Sequence, residues 1–429
     1  MRQRDNIRYS IVVLAMGMNI LNYADRVSIS ILAPRIRADL DLSGVQMGMV
    51  FGIFSIAYAL GQAPWGFWAE SHGARKAVAC AAAAWSILIS LTGLAWSYYS
   101  LLVIRFMFGA VEAALSPSVA AAFRRWLPPR EAAAGFGVFL AGGRLGAAVT
   151  PWLIGGLFMS LGWRDVFLYL GPPGLIAALV WYSWYRDSPA THPAIAPAEV
   201  AMLPKVESAA RPPSASRDGL RIALRSGRFW SLLGTAFCAT FLWQFYITWF
   251  PTYLITEKHL SPAEASFYSG LPFAFGLVGT ASGGILTSLL SRRASVHRAR
   301  RLIGLISLCS AALLMAVGLL CPDPRVAAVV MASAAGCVDL YLGAAWASAV
   351  EIGGEAGGAV AGLMNAASNA AAFISPVAFG WLLDRFHDWN IPLIAAILMT
   401  LAAAFLWLKV TSADVTSPPH ANEKLPATS

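Results

Sequence analysis

Long apolar stretches alternate with short polar ones along almost the whole chain. They fall at roughly 10–33, 44–69, 76–96, 98–123, 133–160 and 164–185, and again at roughly 229–255, 264–290, 301–320, 325–349, 357–383 and 389–409. About 20 apolar residues suffice for a helix to cross a bilayer. The pattern therefore predicts an all-α membrane protein with twelve transmembrane helices in two sets of six. Between the sets lies 186–228, with Pro189, Pro193, Pro197, Pro204, Pro212 and Pro213 among Ala, Ser and Arg. That composition predicts a surface linker, with a short basic amphipathic helix near 217–228. The expected organisation is a first half over 1–185, a cytoplasmic linker over 186–228, a second half over 229–410, and a cytoplasmic tail without fixed structure over 411–429.

Composition agrees. The 429 residues are 58% hydrophobic and 12% charged, where a soluble domain carries about 25% charge. Mean hydropathy is +0.62. The net charge of +9 would suggest a nucleic-acid partner, but its placement argues for topology instead. With the N-terminus inside, the outside segments carry Arg35, Arg37, Arg164, Lys258, Arg325 and Arg385. Arg26, Arg105 and Arg144 fall within spans, and every other Lys and Arg lies on the side of the termini. Basic loops face the cytoplasm, so both termini are expected there, and no nucleic-acid partner is implied. The basic N-terminus followed by an apolar run resembles a signal peptide. It lacks a small-residue cleavage site and continues into charged residues, so it is read as the first span. Cys80, Cys238, Cys309, Cys321 and Cys337 lack metal-ligand spacing and are expected to be small core residues.

The two sets look like copies. Thr150-Pro151 followed by Gly155 and Leu157 in the fifth span matches Ser375-Pro376 followed by Gly380 and Leu382 in the eleventh, at a constant offset. Parallel six-helix repeats place a substrate site between the halves near mid-membrane.

Charged residues inside spans carry the candidate chemistry. The first span contains Asn22-Tyr23-Ala24-Asp25-Arg26. Charges at that depth are costly and face a bundle interior or a water-filled path, usually with partners. In the fourth span, Arg105 and Glu112 are seven residues apart, close to two helical turns, so they share one face about 10 Å apart, with Ser116 on the same stripe. That face should look into a cavity; a purely structural ion pair with the first helix is the competing reading. Arg suits two-point recognition of a carboxylate. An acid beside an Arg couples proton to anion, because protonating the acid frees the Arg for substrate. Arg144 adds a third Arg within a span, suited to a second carboxylate or a phosphate, or to filling a gap between helices. Asp339 is a further acid at span depth with no assigned role.

The segment Gly66-Phe-Trp-Ala-Glu70-Ser-His-Gly73-Ala-Arg75-Lys76, between the second and third spans, resembles the major facilitator signature G-x-x-x-[DE]-R-x-G-R-[RK]. Ser71 departs from it where Arg is usual, and the counterpart at Gly284–Arg293 lacks the acid. The resemblance implies gating roles. Gly66 would allow close helix approach, Glu70 would pair across a closed cytoplasmic gate, and Gly73 and Arg75 would shape and anchor the loop. Asn22–Arg26, the run Gln46-Met-Gly48 through Phe51 to Tyr58-Ala-Leu-Gly-Gln62, the Arg105/Glu112 pair and Trp249-Phe-Pro-Thr-Tyr253 together resemble the anion:cation symporter branch, which includes hexuronate, glucarate and galactonate transporters. This resemblance covers nearly the whole chain. It implies proton coupling through Asp25 and Glu112, with sodium as the alternative ion. It also implies a substrate carboxylate held by Arg26 and Arg105, and a sugar-acid site lined by Tyr23, Tyr58, Gln244, Trp346 and Asn365. Interhelical hydrogen bonding or packing is the competing role for these lining residues. Arg144, Gly343 and Ala345 depart from the sugar-acid pattern.

The expected function is proton-coupled import of a small organic anion by alternating access, in a monomer of a bacterial cytoplasmic membrane without cofactor or metal. A dicarboxylate or aromatic-acid carrier, or an exchanger, is the alternative. A membrane enzyme finds no support: the chain shows no H-E-x-x-H or G-x-S-x-G motif. A receptor or scaffold with this fold would not need Asp25 and Glu112.

Overall fold

The computed structural model describes residues 6–157, 160–204 and 217–411. The first half comprises α1 (Ile7–Asp39), α2 (Gly44–His72), α3 (Ala74–Thr92), α4 (Tyr98–Glu112), α5 (Leu115–Trp126), α6 (Pro129–Leu157) and α7 (Trp163–Trp184). Two short helices, α8 (Pro197–Met202) and α9 (Arg217–Arg225), belong to the linker. The second half comprises α10 (Gly227–Thr248), α11 (Phe250–Thr256), α12 (Pro262–Ser291), α13 (Val296–Leu320), α14 (Pro324–Asp339), α15 (Leu342–Gly353), α16 (Gly357–Phe386) and α17 (Asn390–Val410). A helix covers each of the twelve expected spans. Among the described residues, ten stretches are long and apolar enough to cross a membrane; one of them, Pro324–Phe386, has 63 residues and the length of two crossings, and Gly227–Thr248 falls outside the ten.

The halves repeat one packing scheme. In the first, α1 packs on α6, α2 on α4 and α3 on α7; in the second, α10 packs on α16, α12 on α14 and α13 on α17. The fourth span of each half is broken, and in each case a neighbouring side chain takes a carbonyl that the helix needs. Trp65 Nε1 donates to Ala110 O at 2.9 Å, so Ala114 N turns to Val111 O. Ser307 Oγ donates to Cys337 O at 2.5 Å, so Tyr341 N turns to Val338 O. Pro117 adds to the first break, because it has no N–H for the carbonyl of Ala113. Pro251 likewise sits at the start of α11, just after the break at Trp249.

Two seams join the halves, both toward the end away from the termini. Along α2 and α16, Gly44 meets Asp384 and Gly380, Gly48 meets Pro376, and Gly52 meets Phe373. A methyl on Gly52 would lie 2.7 Å from Phe373 O, so this contact requires glycine. Asp384 also crosses to the first half: its oxygens accept from Gly44 N at 2.7 Å and Val45 N at 2.8 Å, satisfying the first amides of α2. The other seam runs along α6 and α12, where Gly155 meets Ser266, and Gly270 meets Ala148 and Trp152.

Part of the linker is docked rather than free on the surface. Glu199 is buried and accepts from Ile7 N, Arg8 N and Arg8 Nη1 at 2.9, 3.1 and 3.0 Å, so it both caps α1 and pairs with its first cation. The expected helix near 217–228 is present as α9. Linker residues 205–216 and the tail beyond Thr411 lie outside the described residues. The expectation that all five cysteines are core holds for Cys238 only; Cys80 and Cys309 are exposed, and Cys321 and Cys337 are half-buried.

Candidate functional site

The α2–α16 seam ends on a cavity of about 90 Å³ lined from both halves. Arg26 and Ile29 come from α1, Phe51, Phe54, Ser55 and Tyr58 from α2, and Arg105 from α4. Across from them stand Gln244, Ile247 and Thr248 of α10, with Asn369 and Ala372 of α16.

Its two cations differ. Arg26 is paired and caged: Nη2 lies 3.0 Å and Nε 3.3 Å from Glu112 Oε2, and the guanidinium sits 4.7–4.8 Å from the rings of Tyr23, Phe54 and Tyr58. Arg105 lies over Phe54 and Phe108 at 5.2 and 4.9 Å. It is 2% exposed, and its Nε and Nη1 are buried donors with no hydrogen-bond partner. Leaving a charged donor unsatisfied in a low-dielectric site is expensive, so this is the place an anion would gain most. Glu112 presents one further unsatisfied atom, Oε1. Asp25 is 3% exposed, and the charges acting on it are those of Glu112 and Arg105.

The structure thus brings Arg26, Arg105, Tyr58 and Gln244 to one cavity, with Tyr23 against Arg26 and Glu112 behind it. It corrects the expected partnership of Arg26, which pairs with Glu112 on another helix and not with its sequence neighbour Asp25; consecutive helical residues point about 100° apart. Trp346 is 43% exposed and does not line this cavity. Nor does Asn365; Asn369, one turn on, does, and its Nδ2 donates to Asn365 O at 3.0 Å. Asn369, Ser55, Phe54 and Thr248 were missed by sequence reasoning. The four-residue spacing of Asn365 and Asn369 puts both on one helix face, and spacing alone does not say which of them reaches the cavity. Ser116 lies beyond the break after Glu112, so the single stripe expected there is interrupted. Arg144 is elsewhere: its Nη2 lies 2.6 Å from Asp339 Oδ2.

The gating segment has a definite local structure. Gly73 adopts φ +89°, which requires glycine, while Arg75 donates to Tyr182 O at 2.8 Å and lies over the Tyr182 ring. Glu70 pairs with Arg124 at 2.9 Å inside the first half, rather than across to the second. Close helix approach does not explain Gly66, since an added methyl would meet Pro117 Cβ at an ordinary 3.7 Å.

Broken spans around an interior charged cavity between two repeated bundles define a membrane transporter, not an enzyme. The chain belongs to the Major Facilitator Superfamily, whose family model matches residues 15–376. It is 28% identical over 393 residues to the probable sulfoacetate transporter SauU of Cupriavidus necator, covering 91% of each chain. It is 29% identical over 381 residues to the hexuronate transporter of Bacillus subtilis, covering 87% of this chain and 88% of the relative. The probable galactarate/D-glucarate transporter GarP of Escherichia coli K12 is 28% identical over 424 residues, covering 94% of each. The crystal structure of a bacterial homolog to the human lysosomal transporter Spinster, inward-facing and unoccupied, matches in fold with a TM-score of 0.78 at 20% identity, covering 95% of this chain and 98% of that one.

Proposed function

We propose that this protein imports a small organic anion together with protons by alternating access, with a sugar acid such as a hexuronate, aldonate or aldarate as substrate. The observation that carries the reading is Arg105: a buried guanidinium on a cavity wall with two unsatisfied donors. A carboxylate offers two oxygens in the geometry that guanidinium accepts. Tyr58, Gln244, Thr248 and Asn369 supply polar groups for the rest of the substrate, and Glu112 couples the proton by competing for Arg26. The names of the hexuronate and galactarate/glucarate relatives support this class.

A second reading is a short two-charged anion such as sulfoacetate. The small cavity and the apolar surfaces of Ile29, Phe51, Phe54 and Ile247 favour it, as does the SauU relative. We further propose that it acts as a monomer in a bacterial cytoplasmic membrane with both termini cytoplasmic, the orientation that the placement of its Lys and Arg residues supports. The test is uptake into proteoliposomes under an imposed pH gradient, comparing hexuronate, aldonate, aldarate and sulfoacetate. Proton symport predicts accumulation that collapses with the pH gradient and ignores a sodium gradient. Accumulation driven by sodium alone, or uptake only against internal anion, would overturn proton symport in favour of sodium coupling or exchange.

A further inference from the structure

Glu112 ends α4 and Asp339 ends α14, so each half carries a buried acid at the last residue before the break in its fourth span. The repeated packing scheme makes the two positions equivalent. Their partners are not. Glu112 takes Arg26 from its own half, whereas Asp339 takes Arg144 from the opposite half.

Three helices of the second half build the site that receives this one side chain of the first: two touch it and the third holds its acid partner. From α14, Asp339 Oδ2 faces Arg144 Nη2 at 2.6 Å. From α12, Thr280 Oγ1 donates to the same oxygen at 3.2 Å. From α10, the Trp243 ring lies 4.2 Å beneath the guanidinium. Gly276 of α12 completes the socket; a methyl there would lie 2.8 Å from Asp339 Oδ2 and 3.0 Å from Trp243. The site lies at the inner end of the α6–α12 seam, beyond the contacts of Gly155 with Ser266 and of Gly270 with Ala148. Parting that seam pulls α6 away from α12 and therefore pulls Arg144 out of its socket.

We propose that Arg144 and Asp339 form a charge latch between the halves, which holds the seam shut in the state described and whose release is a step of the transport cycle. Asp339 is the counterpart of Glu112 by position but reads a different event: Glu112 meets the cation of the substrate cavity, while Asp339 meets the movement of the other half. Arg144 is accordingly a positioning residue that acts through its partner, not a substrate contact. The latch rests on alternating access alone and does not depend on which anion or ion is carried.

The experiment is hydrogen–deuterium exchange by mass spectrometry on the purified full-length protein. The variants are Asp339→Asn, Thr280→Val, and the exchange of charges Arg144→Asp with Asp339→Arg. In Asp339→Asn, the seam segments 44–52, 148–155 and 262–270 should exchange roughly tenfold faster, as local opening becomes more populated, while the ends near 66–76 and 124–131 exchange more slowly. Thr280→Val should show the same pattern in weaker form. The double variant should return toward wild type, which a substrate-binding or merely space-filling role for Arg144 would not produce. Uniformly faster exchange in every segment, or unchanged exchange along the seam in both Asp339→Asn and Thr280→Val, would overturn the latch. If no tested anion is transported while the seam still opens in Asp339→Asn, the latch stands and the proposed substrate class falls.

Discussion

Arg26 and Glu112 meet at 3.0 Å between α1 and α4, while Arg105, on the same helix as Glu112, has no carboxylate within 4.0 Å among the described residues. One cation of the cavity is therefore answered by the protein and the other is available to an anion. That asymmetry separates a residue that couples from a residue that binds.

Arg105→Ala should weaken substrate binding about 100-fold, the order expected for losing charged hydrogen bonds in a desolvated site. Arg105→Lys should recover little of it, because an ammonium cannot make the planar two-point contact. Isothermal titration of purified variants reads this directly. Wild-type affinity in Arg105→Ala would move the anion to another site.

Glu112→Gln mimics the protonated acid and loosens its hold on Arg26. Binding and counterflow exchange should persist, whereas accumulation on an imposed pH gradient should fall to the level of equilibration. Proteoliposome uptake and counterflow, measured side by side across pH, separate the two. Asp25→Asn leaves the Arg26–Glu112 pair in place and should change the pH dependence of uptake without abolishing binding. Continued accumulation by Glu112→Gln would transfer the coupling role to Asp25 or to another ion.

Asn369 and Trp346 make a paired comparison. Asn369 lines the cavity and Trp346 does not, so Asn369→Ala should weaken binding roughly five- to tenfold, the worth of one hydrogen bond. Trp346→Ala should leave affinity unchanged. The reverse ranking would show that the bound state uses a wall different from the one described.

The docked linker should respond to pH. His192 is 4% exposed and packs against the rings of Trp126 and Trp184 at 5.5 and 5.1 Å. Burial, with help from Arg186, holds its imidazole below the ordinary value. The undocked segment therefore takes up a proton more readily than the docked one. Docking stability is full above about pH 6.5, the ordinary value for histidine, and declines as the pH falls toward the docked value. Limited proteolysis of 186–204 should accelerate several-fold on acidification, and His192→Phe should remove that dependence.

Most of the fold was legible because hydropathy is a one-dimensional signal: a span must be long and apolar, and its ends must be polar. What spacing cannot carry is which span answers which. Arg26 stands beside Asp25 in sequence yet reaches Glu112, because helix geometry turns neighbours apart and brings distant faces together. Arg144 and Asp339 were each visible as charges at span depth, but their meeting depends on how two halves dock, and no periodicity within either half encodes that. The breaks after Glu112 and Asp339 were hidden for a related reason: each arises from a carbonyl taken by a side chain of a different helix, Trp65 or Ser307.

The seam between α2 and α16 has a consequence for how variants of this protein should be interpreted. Where Gly48 faces Pro376 and Gly380 faces the Gly44 carbonyl, main chain rests on main chain, with the Asp384 carboxylate capping the outer end of the joint. Such a joint cannot be loosened by degrees through rotamer changes; it is either engaged or parted. Alanine scanning, which normally subtracts atoms, would here add them. A methyl at Gly48 or Gly52 should jam the joint and bias the carrier toward the opposite opening, giving a transport defect at positions that never touch the cargo.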